Sequence, residues 1–355
     1  MVTGVLPRAE ALALLDSAKA YIGANAGSVR AFPPADPAVY ELYWSPAQVA
    51  ARAHPRVLAT QRFLQGLWHS SDGGGALSTA HPLAYADRLR VRRPGDAGFA
   101  LGPHVDGGSL ERWQDPGYRR TYSEILRGRW ERYDAFDAAH RVGANMDLYN
   151  GAGACAMFRM FQGWLGLSDT APGEGTLRLL PALAHATAYM LLRPLFGADG
   201  RVDVADPRFP GAAKGACQEF SAATHPHLEL ERAMVSVPAV APGDYVAWHC
   251  DMLHSVDREH RGPTAASVMY IPATPLTTQN VRYLARQRDA ALAGAVPPDF
   301  PHHDTGEAGF EGRVRWADVS KEGRRAMGME KWEAHAGSGP AEQRAVAEAN
   351  AVIGR

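Results

Sequence analysis

The sequence predicts a mainly β core with helices before, inside and after it, a barrel or sandwich rather than a doubly wound parallel sheet. Three observations lead there. Residues 1–75 and 273–355 are helical in texture, and the middle breaks into short apolar runs between Pro/Gly-rich turns. Those runs do not alternate with regular crossover helices, which a parallel sheet would need.

Taken in order, the N-terminal helices break at residues 31–37, where Phe32-Pro33-Pro34 and Asp36-Pro37 forbid continuous helix. A second helix starts near Pro55, and Val57, Gln61, Leu64, Leu67 and Trp68 trace its mostly apolar face. After the glycine turn at residues 73–75, strands are expected at 85–92 and 99–106. A helical insertion spans 113–142, where Asp115-Pro116 makes a cap-like start and Tyr122, Ile125, Leu126, Trp130 and Tyr133 recur at helical spacing. Strands resume at 157–167, 176–180, 234–240, 244–248 and 266–271, and helices follow at about 278–292 and 341–353. We read one decorated domain with its core at 85–272.

Bulk properties exclude several classes. Lys+Arg 37 against Asp+Glu 38 leaves a formal net charge of -1, too little to gather nucleic acid or an anionic membrane. Cys155, Cys217 and Cys250 form no CxxC pair, which argues against a thiolate zinc site or a disulfide framework and fits a reducing cytoplasm. Charges at Glu10, Asp16 and Lys19 interrupt any signal-peptide apolar region, so no export signal is expected. The most apolar later stretch, 177–196, holds Arg178, Pro181, His185, Arg193 and Pro194; it reads as buried core, not as a membrane span.

The chemistry centres on Gly-Pro-His104-Val-Asp106-Gly-Gly. On an extended strand residues i and i+2 share a face, so one imidazole and one carboxylate can converge on a single ion. A non-haem Fe(II) oxygenase needs two histidines and one carboxylate on one coordination face. Two later segments add to the pattern. In Pro242-Gly243-Asp244 a turn leads to the apolar strand Tyr-Val-Ala-Trp248-His249, with His254 beyond it, and Gln162-Gly-Trp164 runs through an acidic turn to Glu174-Gly175-Thr-Leu177-Arg178.

In that order the three segments resemble the Fe(II)/2-oxoglutarate dioxygenase superfamily, particularly its phytanoyl-CoA-hydroxylase-like and clavaminate-synthase-like members, over residues 85–272. The flanking helices look like a branch known mainly as a domain of unknown function. The resemblance implies a double-stranded β-helix, the cupin-like jelly roll, with Fe(II) held by His104, Asp106 and His254. It also implies 2-oxoglutarate as co-substrate, dioxygen as oxidant and a small organic molecule as substrate. His249 matches an upstream histidine that does not usually coordinate. Many members clamp the far carboxylate of 2-oxoglutarate with an arginine about ten residues after the last histidine. Here that stretch reads Thr264-Ala265-Ala266-Ser267, without one. Arg178 is the first substitute, followed by Arg90, Arg92 and Arg193; Gln162 and Ser267 are candidate co-substrate contacts, and Trp164 and Trp248 candidate cavity walls.

Alternatives stay open. His249-Cys250-Asp251 is a second HxD whose third ligand would be His260, His302 or His303. The missing arginine also admits a cupin-like isomerase or hydrolase using the same ligands, and a metal-free binding protein could share the fold. Substrate specificity is expected from the 113–142 insertion, the N-terminal helices and the loop 196–231.

Overall fold

The computed structural model describes all residues except 73, 74, 99, 198, 301–305 and 355. Part of the glycine turn, the start of the 99–106 segment and both His302 and His303 therefore lie outside the described residues. Among the described residues thirteen strands are formed: β1 (Ala31–Phe32), β2 (Val39–Tyr40), β3 (Leu77–Leu83), β4 (Leu89–Arg92), β5 (His104–Val105), β6 (Phe161–Gly166), β7 (Leu177–Leu179), β8 (Gln218–Glu219), β9 (Val235–Ser236), β10 (Tyr245–His249), β11 (His254–Val256), β12 (Ala266–Tyr270) and β13 (Thr274–Thr277). They make a six-stranded sheet in the order β1-β2-β4-β12-β6-β10, a five-stranded sheet β8-β5-β11-β7-β9 and a β13-β3 ribbon. The fold is thus mixed sheet and helix, and among the described residues neither sheet closes on itself.

Cross-strand pairing decides which side chains face which way, because directly paired residues project to the same side. In the larger sheet the pairs Arg90–Val268, Tyr270–Trp164, Trp164–Val246 and Gln162–Trp248 define one face. Trp164, Val246 and Trp248 from that face pack in one apolar cluster with Leu177 of the smaller sheet, and Leu179, Val268 and Tyr270 lie against it. This cluster is the interior between the sheets. The opposite face carries Leu89, Leu165, Tyr245 and Met269, which join a cluster with Ala11, Leu15 and Ala18 of the Arg8–Ala24 helix and Val57 and Leu64 of Pro55–Gln65. Each large apolar side chain so buried contributes roughly 1.5–3 kcal/mol. A third cluster joins the C-terminal helices Thr278–Ala293 and Pro340–Ile353 to Tyr85 and Leu276.

Gly163 is required where β6 and β10 approach, since a Cβ there would lie 2.8 Å from the Tyr245 hydroxyl. The 113–142 insertion forms short helical turns, and its Pro116–Thr121 helix starts as expected, with the Asp115 carboxylate accepting the Tyr118 N–H at 2.7 Å. Several elements depart from the sequence reading: strands form at Leu77–Leu83 and Thr274–Thr277 where none was expected, and the 234–240 strand is reduced to Val235–Ser236. The apolar 177–196 stretch contains a helix, Leu183–Leu192, and the 99–106 strand is shortened to His104–Val105. Among the described residues, no helix is long and apolar enough to cross a membrane.

Candidate metal centre

His254 begins β11 and pairs directly with His104 on β5 and with Leu179 on β7, so both imidazoles and Leu179 share a face. Leu179 packs against the interior cluster, which places that face toward the larger sheet. The ring centroids lie 4.2 Å apart, and Asp106 reaches back to set its carboxylate oxygens 3.6 Å from each histidine Nε2. All three ligand-capable atoms lie within 4.8 Å of one another. After Asp106 the chain reverses through Gly107 (φ 79°) and Gly108 (φ 76°), and a Cβ on Gly108 would fall 2.5 Å from the Met146 carbonyl oxygen. Only glycine suits that close approach in a left-handed backbone.

The hydrogen bonds fix the histidine tautomers. His104 Nδ1 lies 2.7 Å from the Gly102 carbonyl oxygen and His254 Nδ1 lies 3.0 Å from that of Met252. A carbonyl only accepts, so each Nδ1 carries the proton and each Nε2 offers a lone pair toward Asp106. Burial, reinforced by the neighbouring His254, lowers the His104 pKa and keeps its imidazole neutral. Burial pushes the Asp106 pKa up, and the charges around it, the imidazoles whenever they are protonated and Arg159 at all times, pull it well below its usual range. Two lone pairs and one carboxylate on one side is the donor set of a facial metal site.

The insertion supports this arrangement from both ends. Arg112 donates to the carbonyl of Asp106 at 2.8 Å and lies 3.7 Å from the Asp251 carboxylate. Asp251 also accepts from Arg141 at 2.6 Å, Tyr122 at 2.9 Å and Tyr133 at 3.1 Å. That network consumes the rival HxD. His249 donates from Nε2 to the Ala135 carbonyl at 2.8 Å, accepts the Asp251 N–H at Nδ1, and stacks on Trp68 at 4.8 Å. His260 is likewise spent, donating to Thr264 and accepting from Gly262. Neither has a lone pair to give an ion.

The remaining expected residues divide. Gln162 and Trp164 lie on the interior face; Gln162 pairs with Trp248, whose ring sits 5.1 Å from His254. The Gln162 Nε2 and Trp248 Nε1 donors are both buried and, among the described residues, have no hydrogen-bond partner. Arg178 is placed elsewhere: it pairs with Ser255, one residue out of phase with His254, donates to the Met234 carbonyl, and lines an outer groove with Arg258 and Arg261. Ser267 pairs with Val91 and shares the outward face with Met269. Neither side chain faces the histidines, because strand alternation turns every second residue away. Arg92 faces inward but is saturated by Asp96 and the carbonyls of Asp257 and Arg258. Arg193 is tied to the carbonyls of Thr224 and Phe196. Arg90, buried and paired with Val268, shares that inward face with Arg92.

One residue near the centre escaped the sequence reading. Arg159 is 6% exposed, and Asp106 is among the charges that act on it. The signal was a lone arginine inside the apolar run Met157-Phe158-Arg159-Met160-Phe161.

A family profile described as Gig2-like matches residues 1–329. The chain belongs to the Gig2-like family. Its relatives include the uncharacterized protein YbiU of Escherichia coli K12, 40% identical over 295 residues that cover 83% of this chain and 68% of YbiU. Among solved structures it is similar to GlcNAc Inducible Gene 2, GIG2 (DUF1479), of Candida albicans, with 32% identity, a TM-score of 0.88, and coverage of 99% of this chain and 78% of that one. It is also similar to a candidate oxidoreductase of Salmonella typhimurium LT2, with 37% identity, a TM-score of 0.82, and coverage of 92% and 79% of the two chains.

Proposed function

We propose that this Gig2-like chain is a mononuclear non-haem iron enzyme that couples oxidative decarboxylation of 2-oxoglutarate to hydroxylation of a small organic substrate. The observation that carries the reading is the convergence of two Nε2 lone pairs and the Asp106 carboxylate, with both Nδ1 protons tied to carbonyls. The fold supports it. Numbering β4–β7 and β9–β12 as core strands one to eight, the sheets read 1-8-3-6 and 2-7-4-5, the alternation expected of a double-stranded β-helix with the flanking helices as decorations of a single domain.

The donor set fits ferrous iron, and the surroundings fit a dicarboxylate. Three protein ligands on one side leave the opposite side for co-substrate and dioxygen. Bound there, ferrous iron would let dioxygen, 2-oxoglutarate and a C–H bond become succinate, carbon dioxide and an alcohol. His104 and His254 would hold the ion as neutral donors and Asp106 would supply the negative charge. Gln162 and Trp248 offer two buried N–H groups with no protein acceptor, whose desolvation a bound carboxylate would offset. Arg90, inward-facing on β4, takes the role first assigned to Arg178, with a planar fork suited to the far carboxylate. The apolar walls formed by Trp164, Val246 and Leu177 exclude water.

The test is succinate formation from 2-oxoglutarate under air with ferrous iron. The reading predicts iron-dependent turnover even without the native substrate, through slow uncoupled decarboxylation. Succinate no greater than in a chelator-treated control would count against it.

A further inference from the structure

The unabsorbed feature beside the centre is Arg159. Its guanidinium lies over the Tyr85 ring at 5.7 Å, and among the described residues it makes no hydrogen bond and no ion pair. A cation on a residue only 6% exposed, with no ion-pair partner among the described residues, is costly and calls for an explanation. Acidic groups stand near but are committed: Asp106 faces the two histidines, and Asp299 accepts from the Tyr85 hydroxyl at 2.6 Å and the Ala156 N–H at 2.8 Å.

Its position says which part of the site it serves. Arg159 precedes β6 by two residues, and β6 runs from Phe161 inward past Gln162, level with Trp248 and so with His254, to Trp164 and Gly166. Arg90 pairs with Val268, which pairs with Gly166, so Arg90 lies deep along the interior. Arg159 precedes the strand, on the opposite side of the Gln162–Trp248 level from Arg90. The two arginines therefore bracket the centre along the strand direction.

We propose that Arg159 is the anchor for a carboxylate on the substrate, so that this enzyme acts on an organic acid. A carboxylate offers two coplanar oxygens to the guanidinium fork, and beside a side chain this buried that bidentate pair is strong and orienting. The role as substrate anchor rests on the metal-centre reading. The affinity of Arg159 for a carboxylate does not.

The experiment follows the arginine Nε–H signals of the 15N-arginine-labelled, metal-free protein by NMR during titration with sodium formate, with sodium chloride at equal ionic strength as control. The Arg159 signal is identified by its loss in Arg159→Met, or in Arg159→Lys if the first variant does not fold. A saturable formate shift of that signal, absent with chloride, is expected; no shift, or equal shifts with both salts, overturns the proposal. A second arm repeats the titration after loading with Zn(II) and 2-oxoglutarate, with metal content measured. Persistence of the formate response supports a substrate subsite. Its loss in zinc-loaded protein means that 2-oxoglutarate occupies Arg159 and overturns the substrate assignment. Failure to load zinc, with the metal-free response intact, would instead count against the metal centre.

Discussion

His104 and His254, 150 positions apart in the chain, are direct cross-strand partners on β5 and β11, their rings 4.2 Å apart and both Nε2 atoms 3.6 Å from Asp106. Because each ring is held by a carbonyl two residues earlier in the chain, the two lone pairs are aimed before any ion arrives. Replacing either histidine by alanine is predicted to remove ferrous binding while leaving the fold intact, as read by metal analysis beside circular dichroism. Full occupancy in either variant would break the ligand assignment.

Arg90 and Arg178 can be told apart kinetically. One faces the interior across from Val268; the other faces the outer groove beside Arg258. Truncating one partner of a buried charged pair costs roughly 2–5 kcal/mol. Arg90→Met should therefore raise the KM for 2-oxoglutarate more than about 30-fold in a succinate assay, since each 1.4 kcal/mol is tenfold. Arg178→Met should leave it unchanged. The reverse result would return the clamp to β7.

Arg112 and Arg141 test how the insertion supports the centre. Arg141→Met removes the 2.6 Å partner of a fully buried Asp251, and breaking such a pair costs about 3–5 kcal/mol, measurable by urea unfolding. Arg112→Met removes the hand that holds the Asp106 carbonyl, so ferrous affinity should fall by about 10–100-fold, as is usual for groups orienting a ligand. Unchanged affinity would make Arg112 a packing residue only.

Acid should destabilise the metal-free protein in two steps. Burial lowers His81, His225 and His249 to about 4. Between about pH 6.5 and 4 the unfolded chain therefore binds protons that the folded chain refuses, and stability falls as pH falls, by up to about 1.4 kcal/mol per pH unit for each histidine. Below that window, Asp251, whose carboxyl is held low by Arg141 and Arg112 against the opposing pull of burial, becomes protonated and its contribution is lost as well. Unfolding free energies at pH 7, 5.5 and 4.5 check the first step; a flat profile would contradict it.

How much of this was legible beforehand varied with the physics involved. The HxD couple could be read because strand alternation puts residues i and i+2 on one face, whereas Gln162 and Trp164 were suggested only by the resemblance of their segment. Arg178 and Ser267 obey that rule too, but their phase depends on pairing with Ser255 and Val91, and register is set by tertiary contacts that a single chain does not display. The helix Leu183–Leu192 was hidden because an apolar run has no polar face to reveal its period. His249-Cys250-Asp251 was ambiguous until Arg112, Arg141, Tyr122 and Tyr133, all in or beside the insertion, were seen to close around it. Arg159 was visible only as a charge in an apolar run, and what distinguishes it is that, among the described residues, it has the Tyr85 ring beside it and no ion-pair partner.

The most direct measurement is an anaerobic titration of the purified protein with ferrous iron and 2-oxoglutarate, followed by visible absorption. The account predicts a metal-to-ligand charge-transfer band that saturates at about one equivalent of iron per chain, requires both additions, and is absent from His254→Ala. No band in the wild-type protein, or an equal band in His254→Ala, would contradict it.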